Sequence, residues 1–420
     1  MGGVPLVTAV VMLVFGVTVV VMYRRAIEVG ADPLMAFAVT FGAYVVMLVH
    51  AMARPHHVTY LCFALILYEL ERFRAGEIGP RRLWWIPLVL VPWTNLHGGF
   101  VVGFALLGLY LVAEVVGWAW GTEGATLRRV AALGVTAAAA LVATLANPFG
   151  WRLHLQIREY LGYQTASLFS EFQSPQFHRG QVCETTFEAG IVITLLLLAC
   201  GKRKLPLATG LALAYFLAQG LQSARHMVLF AIAAAPTLSL LATDLLRTVR
   251  PTLAEAGEVF RRTQRELRGD WVWAPVAAVA FVALSFHGEP WFRREIVGLR
   301  VSAGAIDYIR AHPADFGRMF NGEDTGGTLA YALWPAVKIY IDDRLNGYGE
   351  RFFRENFLPI VELDPSWQSV LDRNGVTSAV VSRSARYVAL WRDSPNWREA
   401  YADDTSVLYL RRTPLPTAAR

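Results

Sequence analysis

Hydrophobic positions run in long blocks over roughly the first 290 residues, broken by short polar motifs; from residue 296 the blocks give way to shorter alternating and helical periodicities. A spanning helix needs about 20 apolar residues, with a range of about 17–25. The blocks near 4–23, 32–52, 57–72, 83–95, 99–119, 128–146, 185–201, 205–221, 224–243 and 271–287 therefore predict about ten spans. Those at 57–72 and 83–95 are short, which tilting, re-entrance or burial by neighbours would accommodate. In the last part, helices are predicted at 302–312, 328–334, 350–361, 366–374 and 384–393. Strands are predicted at 317–321, 337–342, 377–382, 397–402 and 406–411, with a turn at EDTGG, 323–327. The expected fold is a polytopic α-helical membrane protein with a transmembrane domain over 1–290 and a small α/β domain over 291–420.

Basic residues orient the spans. Arg24 and Arg25, then Arg72, Arg74, Arg81 and Arg82, then Arg128 and Arg129, then Lys202, Arg203 and Lys204, and finally the loop 244–270 alternate onto one side. That side is predicted to be cytoplasmic. The opposite loops carry far fewer, namely Arg54, Arg152, Arg158, Arg179 and Arg225. The N-terminus, the polar motifs and residues 288–420 are thus expected to be extracytoplasmic. The first span has almost no polar residues before it, and basic residues follow its apolar run, which is unlike a signal peptide. The chain looks as though it lacks its beginning.

Composition agrees with a membrane protein: of 420 residues, 55% are hydrophobic and 17% charged. The net charge of +6 lies mainly in loops, with no basic stripe of interleaved aromatics, so nucleic acid is not an expected partner. Cys62, Cys183 and Cys200 have neither disulfide-framework nor metal-ligand spacing.

Four motifs fall on the extracytoplasmic side: ARPHH (Arg54, His56, His57), WTNLHGG (Asn95, His97), NPFGWRL (Asn147, Arg152) and QSARHM (Arg225, His226). Polar residues at membrane depth are costly and mark functional sites by default, so convergence on one face suggests a shared site. Asn95 and His97 suit hydrogen bonds to a phosphate or sugar hydroxyl, or the capping of neighbouring helix ends. Arg54 and Arg225 offer planar donors for phosphate, or snorkel to the interface. Residues 151–163 form an amphipathic stretch, a loop anchor or a lipid-carrier contact, with Arg152 on its polar face. Glu171 is the best-placed carboxylate of the membrane part, a candidate base or an ion-pair partner of Arg152 or Arg225. In the soluble part, Asp342, Asp343 and Arg344 follow an apolar strand at its carboxyl end, the edge where α/β sheets bind ligands. Asp342 and Asp343 with Asp324 would build a divalent-cation or sugar site; the other reading is an Asp–Arg ion pair with a turn at Asn346-Gly347.

The ordered series ARP (53–55), WTNLHGGF (93–100), NPFGWRL (147–153), EFQSP (171–175), FNGEDTGGTL (320–329) and IYIDDRLNGYG (339–349) resembles a group of bacterial multispan proteins. That group is similar to membrane glycosyltransferases of the GT-C fold class, related to dolichyl-phosphate-mannose protein mannosyltransferases. Phe172 replaces the tryptophan of the group's fourth motif. The resemblance implies a bacterial inner-membrane location and sugar transfer from a polyprenyl-phosphate donor to an extracytoplasmic acceptor. It implies phosphate and head-group contact for Arg54, His97, Arg152 and Arg225. The fold class usually carries its catalytic acid in the first extracytoplasmic loop, and no residue here matches that acid. The rival expectations are a non-catalytic lipid-carrier-binding or assembly protein, and a transporter. Against the transporter, the spans show no paired intramembrane charges and no halves related by repeat.

Overall fold

The computed structural model describes residues 3–50, 54–122, 124–163, 172–249, 301–342 and 344–412, which fall into two compact units. The predicted span 271–287 and most of the basic loop 244–270 lie outside the described residues, as do Glu171 and Asp343.

The first unit is helical. Among its described residues the α-helices are α1 (Gly3–Glu28), α2 (Pro33–Met47), α3 (His56–Arg74), α4 (Trp85–Leu96), α5 (Val101–Ala119), α6 (Leu127–Ala143), α7 (Arg152–Leu161), α8 (Val182–Cys200), α9 (Leu207–Gln222) and α10 (Met227–Val249). Among the described residues, five helical stretches are long and apolar enough to cross a membrane: Leu6–Glu28, Pro33–His50, Gly98–Ala119, Val182–Cys200 and Ala224–Val249. The other predicted spans are helical but differ in character. Helix α3 carries Glu69, Glu71, Arg72 and Arg74 in its last turns, and α4, α6 and α9 are shorter.

Helix α10 is the central element. It packs against α1, α2, α8 and α9, and 67% of its apolar window is buried, against 22% for α1 and α8. Its run of Ala231, Ala233, Ala234 and Ala235 lets neighbouring backbones approach closely. The outer helices turn large apolar side chains outward, among them Phe37, Leu88, Val142 and Leu195. Such a surface is untenable in water but suits a lipid environment. Asp32 caps α2, accepting from the Leu34 and Met35 amides, while its own N–H donates to Thr243 of α10 at 2.8 Å.

The second unit contains a five-stranded sheet of order β2-β1-β3-β5-β4, with β1 (Arg318–Phe320), β2 (Lys338–Ile339), β3 (Ser378–Ser382), β4 (Trp397–Ala402) and β5 (Ser406–Arg411). Strand β1 pairs parallel to β2 and β3; β3–β5 and β5–β4 are antiparallel. Helices α11 (Ala303–Ala311) and α12 (Glu323–Leu333) contribute Ile306, Ile309, Leu329 and Leu333 to a core with Met319, Val380 and Leu408.

Two expectations change here. EDTGG is not a turn but the first part of α12, where Glu323 and Asp324 complement the helix dipole. The helix predicted at 350–361 has those bounds: Gly349, at φ 78°, separates it from a short turn at 345–348, and from Glu350 it runs through a π-helical turn at Phe353–Phe357 to Val361. Strand β2 is also shorter than predicted. Buried Asn321 takes over the pairing beyond it: its side-chain amide donates to the Ile341 carbonyl at 2.7 Å, and its oxygen accepts from the Tyr340 amide at 2.8 Å.

Candidate functional site

Three of the polar motifs meet at one end of the helical unit. Pro55, whose fixed φ suits a helix start, leads into α3 and places His56 and His57 in its first turn. His56 and Tyr60, four residues apart, share a helix face with ring centroids 5.5 Å apart. His50, at the end of the turn after α2, brings its ring to 4.8 Å from His56, and its Nδ1 lies 3.2 Å from the Tyr60 hydroxyl. His97 follows α4 in an extended conformation, before the tight turn Gly98–Phe100 that opens α5. Arg225 and His226 lie in the turn that opens α10.

These groups surround a cavity of about 40 Å³, lined by His50, His56, Thr59 and Tyr60 on one side and His97, Gly99, Arg225 and His226 on the other. That is room for a few waters, at ~10–15 Å³ each. Among the described lining residues Arg225 is the permanent cation, and there is no carboxylate.

A hydrogen-bond chain orients His97. Trp93 Nε1 donates to Thr59 Oγ1 at 2.9 Å, and Thr59 Oγ1 lies 2.7 Å from His97 Nδ1. The Gly99 amide also donates to that nitrogen, at 3.1 Å. A backbone N–H can only donate, so Nδ1 is an acceptor and the proton of the neutral ring sits on Nε2. Burial, and after it the Arg225 charge, hold His97 below the usual histidine range. His97 is thereby a fixed neutral hydrogen-bond donor beside a cation, a pairing suited to an oxyanion.

The segment after Glu171 is fastened to the same end. Gln173 accepts from the Ala224 amide at 2.9 Å, and the Arg225 guanidinium lies 4.6 Å from the centre of the Phe172 ring. Phe172 thus offers an aromatic face to the arginine.

Of the sequence-predicted residues, His56, His97, Arg225 and His226 come together at the cavity. Arg54 is half-buried at the entry to α3 but does not line it. Asn95 donates its amide to the Val91 and Ala146 carbonyls, both at 2.8 Å, and so ties α4 to the turn that follows α6. Arg152 opens α7 and is exposed. In the second unit, the buried Asp342 carboxylate receives the Arg344 Nε at 2.9 Å and the Arg344 backbone amide at 3.0 Å. Among the described residues no group of three His, Cys, Asp or Glu side chains is placed to hold a metal ion.

Three lining residues with polar side chains lie outside the sequence-predicted set: His50, Thr59 and Tyr60. Thr59 and Tyr60 follow His56 by three and four residues, a spacing that puts them on its helix face and is legible in the sequence. The meeting of His50 with His56 depends on how α2 and α3 pack. No protein-family model matches this chain, and no curated protein matches it significantly.

Proposed function

We propose that this is a polytopic inner-membrane protein of GT-C-like architecture, with about ten spans, whose basic loops face the cytoplasm and whose C-terminal α/β unit lies outside. In this reading it transfers a sugar from a polyprenyl-phosphate donor to an extracytoplasmic acceptor. The observation that carries the proposal is the clustering of His97 and Arg225, an oriented donor and a cation, around one cavity. Such a pair would hold the phosphate of the donor as it departs. A carboxylate to deprotonate the acceptor is assigned to Glu171, which precedes Phe172 in the sequence. The order of the six motifs supports the same reading by resemblance.

A second reading has a specific observation behind it. The described cavity wall holds donors and a cation but no carboxylate, which suits binding of a lipid-carrier phosphate without turnover.

The test uses the full chain in membranes. Sugar transfer from a radiolabelled polyprenyl-phosphate donor, and binding of that donor, are measured for wild type, Arg225→Gln and Glu171→Gln. Loss of a charge-assisted bond costs about 1.5–3 kcal/mol, so Arg225→Gln is expected to weaken donor binding tenfold or more. Glu171→Gln should abolish transfer while sparing binding. Binding without any wild-type transfer selects the lipid-carrier-binding reading, and absence of donor binding overturns both.

A further inference from the structure

The opposite end of the helical unit holds a larger cavity, of about 260 Å³, with walls from α1, α3, α5, α9, α10 and the segment before α9. Along α3, about 15 residues at 1.5 Å each put it about 22 Å from the histidine cluster. Its charged lining is Arg25, Glu71, Arg74, Arg203 and Lys204. Glu71 is already saturated: one carboxylate oxygen accepts from the Tyr110 and Thr209 hydroxyls and the other from the Arg74 guanidinium. It has no capacity left to serve a bound cation.

The cations are less completely used. Arg25 is only 3% exposed; its Nη1 donates to Glu77 at 3.0 Å and lies 3.6 Å from Glu28, but its Nε has no hydrogen-bond partner among the described residues. Arg203 donates to Asp244 at 2.6 Å with its side chain still 48% exposed, and Lys204 has no ion pair among the described residues. Arg25 and Arg203 are thus paired, while Lys204 adds a cation with no ion pair among the described residues, and an arriving anion would complete the local charge balance. The rest of the wall is apolar, including Met22, Leu67, Ala212 and Leu240. The volume is slightly below the ~300–1,000 Å³ of small-molecule sites, enough for a head group and the near part of one chain.

We propose that this cavity binds an anionic phospholipid, its phosphate held by Arg25, Arg203 and Lys204 and one acyl chain lying along Met22, Leu67 and Leu240. Basic pockets between membrane helices recognise anionic head groups by this chemistry. The site is independent of the sugar-transfer reading, whose cavity lies at the other end.

The experiment compares phosphatidylglycerol, phosphatidylcholine and inorganic phosphate on the purified full chain in detergent, by thermal shift and native mass spectrometry. Arg25→Gln would leave Glu77 without its buried partner, so the exposed pair is used instead, as R203Q/K204Q. Phosphatidylglycerol is expected to raise the unfolding temperature and remain bound, with affinity reduced at least tenfold in the double variant. Equal binding of phosphatidylcholine, or no effect of the double variant, overturns the proposal. Displacement of the lipid by inorganic phosphate at equal concentration assigns the cavity to a soluble anion and overturns it as well.

Discussion

A methyl group added to Gly99 would sit 2.4 Å from Thr59 Oγ1 and 2.7 Å from His97 Nδ1, whereas one added to Gly98 would meet nothing within 4 Å. The two glycines look equivalent in the sequence, as adjacent breakers after a histidine. Only the first of the pair is spare; the second lets the backbone come close enough for its amide to fix the His97 ring. Gly99→Ala should therefore displace His97, destabilise the chain by about 1–3 kcal/mol and weaken head-group binding, while Gly98→Ala leaves both near wild type. Thermal unfolding together with donor binding checks this, and equal behaviour of the two variants contradicts it. Asn95 teaches a related lesson. Its chemistry fits a ligand contact or a cap, and the 2.8 Å bonds to Val91 and Ala146 give its amide a joining role between helices.

At the scale of elements, the strands at 397–402 and 406–411 have the predicted bounds, because short runs of strand-forming residues bounded by a turn are a local pattern; β5 is buried from Ser406 to Leu410. EDTGG departs from expectation because two glycines and two acids resemble a turn, yet Gly326 is there for packing. A Cβ on it would lie 2.0 Å from the Ile341 carbonyl, so α12 reaches the end of β2 only through glycine. Gly326→Ala is expected to destabilise the second unit by at least the ~1–3 kcal/mol typical of overpacking, and Gly327→Ala, with open space around it, far less. Denaturant titration with hydrogen exchange over 323–341 separates them. The β4–β5 hairpin carries an acid-sensitive support. Burial alone would raise the Asp403 carboxyl, but hydrogen bonds from Ser302, the Ser406 and Thr405 amides and Tyr401 outweigh it and pull it down to about 2. A folded pKa below the unfolded value stabilises above the unfolded pKa and is lost as pH falls through the folded one. Hairpin amide protection, corrected for intrinsic exchange, should thus decline from about pH 4 towards pH 2, and Asp403→Asn should flatten that decline.

For the whole molecule, the burial of α10 and the apolar exteriors of α1, α2, α5 and α8 describe a bundle with one element inside and lipid-compatible faces outside. Helix α8, at 19 residues, is about 28 Å long and matches a hydrocarbon core of about 30 Å. Exposed Gln176 precedes it and exposed Lys202 follows it. In a background with Cys62, Cys183 and Cys200 replaced by serine, single cysteines at 176 and 202 should label from opposite faces of sealed vesicles. Labelling of both from one face would exclude α8 as a crossing helix. Two polar cavities at opposite ends of one bundle also separate the chemistry: an oriented neutral histidine with one arginine at one end, and fixed ion pairs with surplus cations at the other.

The sequence by itself determined the apolar helices, the strand-rich last segment and the polar motifs worth attention, because hydrophobic periodicity and helix-breaking residues act within a few positions of one another. It also held the Asp342–Arg344 pair, two residues apart, as one of two readings. Tertiary structure alone decided which polar groups meet. Thr59 reaches His97 from 38 residues away, Thr209 reaches Glu71 from 138, and Asp32 reaches Thr243 from 211. Such contacts depend on how helices pack around α10, and no local pattern encodes a distance between segments that far apart in the chain.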